Sequence, residues 1–110
     1  MNIFKSRSFD GSSTAANNAM TVYTVPSVTT TIVIGLNLAN ISNSLILIDV
    51  QIDKSVGDTV YIAKSVPIPT GGSLELMTGN KFVLETGDVI SVTSSVDDSL
   101  DSMLSIMEQS

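Results

Sequence analysis

The sequence predicts an all-β domain, a sandwich or a barrel, and three observations carry that prediction. Apolar residues fill 43% of the 110 positions while aromatics fill only 5%, so the bulk comes from Val, Ile and Leu set among Ser and Thr. Those are the side chains that fit a pleated, half-buried surface. From residue 20 onward the chain breaks into short apolar runs separated by turn residues at near-regular intervals, the spacing of an all-β fold. Within the clearest runs apolar residues recur every second position, the period of a strand with one buried face. A chain of this length builds one core and buries about two-thirds of the surface its unfolded form exposes. There is no room for a second domain.

Residues 1–19 differ from the rest. Gly11 to Ala19 is almost wholly Ser, Thr, Ala and Asn without periodicity, which predicts an extended arm preceding a β-sandwich domain over residues 20–110. The arm holds Lys5 and Arg7 against Asp10, so the acidity of the chain, formally −6, resides in the body. Ile3, Phe4, Lys5, Arg7 and Phe9 are the candidate partner-binding residues, apolar anchors and cations that would order on a neighbour.

The strands follow in order. MTVYTV is ended by Pro26. TTTIVIGLNLAN places Ile32, Ile34, Leu36 and Leu38 on one face, with Gly35 suggesting a bulge or a close backbone approach. After a turn at 40–44, LILIDVQID sets Ile46, Ile48, Val50 and Ile52 against Leu47, Asp49, Gln51 and Asp53, and the two runs read as an antiparallel hairpin. KSVGD turns the chain into TVYIAKSV, where Val60, Ile62 and Val66 share a face. In IPTGGSLEL the paired Gly71 and Gly72 precede an alternating strand rather than a helix, and no Gly-Lys-Ser/Thr occurs. A corner that needs positive φ explains them better than a phosphate loop. NKFVLE, the turn ETGD at Gly87, and DVISVTSSV complete seven strands.

The last segment reads two ways. Leu100, Met103, Leu104 and Met107 form a helical stripe, whereas alternation puts Leu104 and Ile106 opposite Met103 and Met107 on a strand apolar on both sides. A closing strand would cover an otherwise unpaired sheet edge.

Composition excludes several chemistries. The chain has no cysteine and no histidine, which removes thiol nucleophiles, thiolate metal sites, the commonest general base and the commonest zinc ligand. The expectation is a non-enzyme without metal or cofactor. Net negative charge repels nucleic acid and anionic membrane, and no run reaches spanning length or signal-peptide form, so a soluble, unexported protein is expected. Asp97, Asp98 and Asp101 miss the calcium-loop pattern. Asp49 and Asp53 with Tyr23 or Tyr61 could serve a carbohydrate, although two tyrosines make a thin stacking platform. Runs such as IVIGL and LILI offer apolar groups to both faces, where a small sandwich buries one. A covered second face implies an oligomer or a large partner.

The succession TVYTVPSVTTTIVIGLNLAN, ILIDVQI, VYIAKSVPIPTGGSLEL, KFVLETGDVISVTSS and LSIMEQ, over residues 21–108, resembles small virion structural proteins of tailed bacteriophages of the marine and cyanobacterial kind. The resemblance implies a jelly-roll-like antiparallel β-sandwich of about eight strands, with a closing strand at the C-terminus and no catalytic residues; the extended N-terminal arm lies outside the match. It implies a place on the virion, as a capsid cement or decoration protein forming a trimer or similar homo-oligomer. A tail, neck or fibre-base adaptor of the same fold is the alternative, and a carbohydrate-binding module on a host-facing fibre a further one. The implied partners are other virion proteins, the major capsid protein or tail and neck proteins.

Overall fold

The computed structural model describes residues 2–9, 19–76, 82–96 and 99–109. Every regular element among them is a strand: β1 (Asn2–Phe9), β2 (Met20–Thr24), β3 (Thr30–Asn40), β4 (Ile46–Asp53), β5 (Thr59–Ile68), β6 (Ser73–Leu76), β7 (Phe82–Leu84), β8 (Val89–Ser94) and β9 (Leu100–Gln109). They form two antiparallel sheets, one ordered β1-β9-β3-β6 with β7 also on β3, the other β2-β8-β4-β5. β6 pairs with Leu36–Ala39 and β7 with Thr31–Val33, so they are two pieces of one edge strand. Counted that way the fold has eight strands, and apart from the β4–β5 hairpin each connection crosses from one sheet to the other. That is a jelly roll.

The closing segment is a strand. β9 turns Leu100, Ser102, Leu104, Ile106 and Glu108 inward and Met103 outward, and it lies between β1 and β3. Burial alternates along β4 as the sequence predicts, with Ile46, Ile48 and Val50 fully enclosed. Together with Leu36, Leu38, Ile90, Val92, Leu104 and Ile106 they fill the space between the sheets.

Three expectations are corrected. β3 and β4 are not a hairpin: β3 pairs with β6, β7 and β9, and β4 with β5 and β8. The corner between them is held by Asn40, whose Nδ2 donates to the carbonyls of Ser44 (2.8 Å) and Ile68 (2.9 Å) while its Oδ1 accepts from Ser42 N–H. Ile32 and Ile34 do not share a face with Leu36 and Leu38. The register slips between Val33 and Gly35, an inserted residue that flips the alternation, so Thr31 and Val33 point inward before it and Leu36 and Leu38 after it. Alternation in β5 is broken twice against β4: Ile62 and Val66 pack against the core as expected, but Ala63 and Ile68 are also buried and Val60 is exposed. At one of these bulges Ser65 has φ 53°, and its N–H donates to Asp49 Oδ1 at 2.7 Å.

Within the arm, residues 2–9 run as β1 beside β9, from Asn2 opposite Gln109 to Phe9 opposite Ser102; residues 10–18 lie outside the described residues. Pairing satisfies the backbone groups that an extended segment would otherwise leave to water.

The glycine corner takes the predicted form. Gly72 N–H donates to Pro69 O at 2.9 Å with Gly71 at φ +74°, a type II turn that carries the chain from β5 to β6. Glu85–Asp88 repeats the geometry, Asp88 N–H donating to Glu85 O with Gly87 at φ +88°.

Candidate interaction surface

The two outer faces of the sandwich differ in chemistry, and the difference is written in the strands. On the outer face of the β1-β9-β3 sheet, Phe4 lies opposite Met107, Met107 opposite Ile32, and Ile32 opposite Val83. Four neighbouring strands thus place one apolar side chain each in a single row across the sheet. Phe4 is 74% and Val83 61% exposed. Ile34, the residue inserted at the bulge, adds a fifth group beside the row, and Met103 stands farther along β9. Among the described strand residues of this face the charges are Glu75 and Asp101, toward one end of the strands.

The outer face of the other sheet is polar, and its polar groups serve their own chain. Asp49 caps the Ser65 bulge and pairs with Lys64 at 3.3 Å, while Lys64 sits 4.4 Å from the centre of the Tyr61 ring. Asp53 Oδ1 accepts from Gln51 Nε2 and Thr59 Oγ1, both at 2.9 Å. Of the residues considered for a carbohydrate, Tyr23 is buried, 4% exposed, and offers no ring face to a ligand. Tyr61 remains exposed. Asp97 and Asp98 lie outside the described residues, and Asp101 sits in β9 opposite Ala39.

The five arm residues do not form one patch. Strand alternation sends Phe4 to the outer apolar row and Ile3, Lys5 and Arg7 to the side that faces the opposite sheet; the side chain of Phe9 lies outside the described residues. Lys5 reaches back into the sandwich to Glu108 Oε1 at 2.8 Å. The other oxygen of Glu108 accepts from Tyr23 OH at 2.5 Å, and Thr31 shares a 2.8 Å hydrogen bond with the same phenol. Lys5 and then Tyr23, as donors, hold the Glu108 carboxyl below its ordinary range against the opposing effect of burial. Burial, and next the Glu108 carboxylate, push the Tyr23 phenol up to about 12. This network ties β1, β2, β3 and β9 together at one edge of the sandwich. The sequence gives little hint of it, because Glu108 and Thr31 are polar residues at inward positions and their partners are remote along the chain.

A second cluster closes one end of the fold. The Asp88 carboxylate, fully buried, accepts from Lys54 Nζ (2.5 Å), Ser55 N–H and Glu85 N–H (2.9 Å each). Burial opposes its ionisation, but Lys54 and the two amides outweigh burial and lower its pKa. The contacts join the β4–β5 hairpin to the β7–β8 corner.

Among solved structures, the chain is similar to a chain of the T13 IBDV viral particle, an icosahedral virus, with a TM-score of 0.57 and 12% identity. The similarity covers 97% of this chain and 30% of that one, so the present chain spans less than a third of the length of its structural neighbour. At this identity the likeness is one of fold. No family model and no curated protein matches the sequence.

Proposed function

We propose that this protein is a non-enzymatic structural component of a virion, a capsid cement or decoration protein of the tailed-bacteriophage type that assembles with copies of itself on the shell. The observation that carries the reading is the fold: a jelly-roll strand order in a chain that is similar, over 97% of its length, to a chain of the T13 IBDV viral particle. Three features support it. The sequence lacks histidine and cysteine, which leaves the usual nucleophile and base pairings without their members. Its polar clusters, around Asp88, Asp49 and Asn40, consist of groups engaged in holding corners and bulges. Its outer apolar row is a surface for contact, not for chemistry.

Such a protein acts mechanically. Each copy contributes a modest contact, and many copies on a lattice sum those contacts into resistance against expansion of the shell. The major capsid protein is the proposed partner, and the virion the proposed location. The test is binding of the purified protein to empty capsids and, on genome-filled particles, heat release of the packaged genome with and without it. Saturable binding to capsids and a higher release temperature are expected. Binding only to tails, necks or portals would favour an adaptor of the same fold, and binding to neither would overturn the virion reading.

A further inference from the structure

We infer that the outer face of the β1-β9-β3 sheet is the seat of a second copy of this chain, packed sheet against sheet through the row Phe4, Met107, Ile32 and Val83. The inference deepens the proposed structural role by naming a surface and a partner, and it rests on that role. Three observations favour a second copy over other occupants.

The first is charge. The chain carries 11 acidic and 5 basic residues, so two copies repel one another over most orientations. Within the strands of this face the described charges are Glu75 and Asp101 at one end, and two copies can meet through the apolar row without burying either carboxylate. A basic partner would gain little at the apolar row, since the carboxylates that would attract it lie at its margins or elsewhere on the chain.

The second is form. The row crosses four adjacent strands at right angles to them, so a two-fold axis lying between the faces sets row on row. With the axis along the strands, Phe4 of one copy meets Val83 of the other and Met107 meets Ile32. A surface that is complementary to itself is what an isologous dimer requires.

The third is area. Four strands at a spacing of about 4.8 Å and some eight residues of about 3.3 Å rise give a face of roughly 500 Å². Two such faces bury about 1,000 Å², the lower limit for a specific interface. The expected dimer is therefore weak in free solution and reinforced by multiplicity on a lattice.

Sedimentation equilibrium of the whole chain, over about 5 to 500 µM, tests this, with dissociation expected on the order of 10–100 µM. Phe4→Glu and Val83→Glu, both at exposed positions, should each weaken dimerisation at least about tenfold with unchanged circular dichroism and cooperative melting. Leu47→Glu, on the outer face of the opposite sheet, should leave it unchanged. Because the chain has no cysteine, Phe4→Cys and Val83→Cys variants mixed under oxidation should cross-link between copies. A monomer at every concentration, or a dimer indifferent to Phe4→Glu and Val83→Glu but broken by Leu47→Glu, would overturn the inference. Capsid binding by a strictly monomeric protein would overturn it while leaving the virion role standing, so the two failures are distinguishable.

Discussion

At the scale of single residues, two buried carboxylates link stability to pH. Glu108 and Asp88 both titrate below their ordinary values in the folded chain. As pH falls the unfolded chain therefore takes up these protons first, and the stabilisation from both groups, fully present above about pH 5, is lost as pH drops through their folded pKa values. Glu108→Gln should lower stability at pH 7 and flatten the dependence of the urea midpoint on pH between about 5 and 3. An unchanged acid slope in that variant would mean that Glu108 is not held by Lys5 and Tyr23 in solution. Asp88→Ala removes the acceptor of one ammonium and two amide donors and should cost about 3 kcal/mol, read as a shift of the denaturation midpoint. Lys54→Met, which leaves the two amide donors satisfied but the carboxylate without its cation, separates the ionic share from the hydrogen-bonding share.

At the scale of elements, glycines that look alike in the sequence play different parts. Gly71 sits at φ +74° with open space where a Cβ would stand, whereas Gly35 has neither a positive φ nor any atom within 4 Å of that position. Gly71→Ala should therefore cost about 1–2 kcal/mol through backbone strain alone, and Gly35→Ala should stay within about 0.5 kcal/mol; thermal denaturation of the two variants decides. The contrast also shows what the sequence made legible. Alternation identified β4 and the inward face of β9 because their buried residues follow the strand period without interruption. It misplaced Ile32 and Ile34 because one inserted residue at 34 reverses the faces of β3, and a bulge leaves no mark in composition beyond the glycine beside it. It misjudged the pairing of β3 with β4 because in this topology neighbours in sequence lie in opposite sheets, and partner choice rests on contacts with β8 and β9 some 40 to 70 residues away. The apolar excess on both faces of IVIGL was readable in the sequence. Its assembly into a row was not, because Phe4, Ile32, Val83 and Met107 meet only through the register of four strands.

At the scale of the whole molecule, the unequal depth of the two outer layers sets what can be removed. Among the described side chains of β1 none belongs to the buried core: Ile3, Phe4, Ser6, Arg7 and Ser8 are exposed, and Lys5 reaches inward to Glu108. β1 pairs with a single neighbouring strand, so its ladder and the Lys5 ion pair are largely offset by the entropy of ordering its residues. Its net contribution to stability is therefore small. Deletion of residues 1–9 should thus leave a domain that melts cooperatively, with stability lower by about 1–3 kcal/mol. It also turns β9 into an edge strand whose ladder groups are open to another chain, so the truncated protein should aggregate more readily on prolonged incubation, visible by light scattering, even while its far-ultraviolet circular dichroism stays that of a β-sandwich. Its acid limb should change as well, since Glu108 loses the ammonium that does most to hold it ionised. A truncated chain with no cooperative transition would show instead that β1 closes the core, and the sandwich would then have to be understood as folding around its first strand rather than accepting it last.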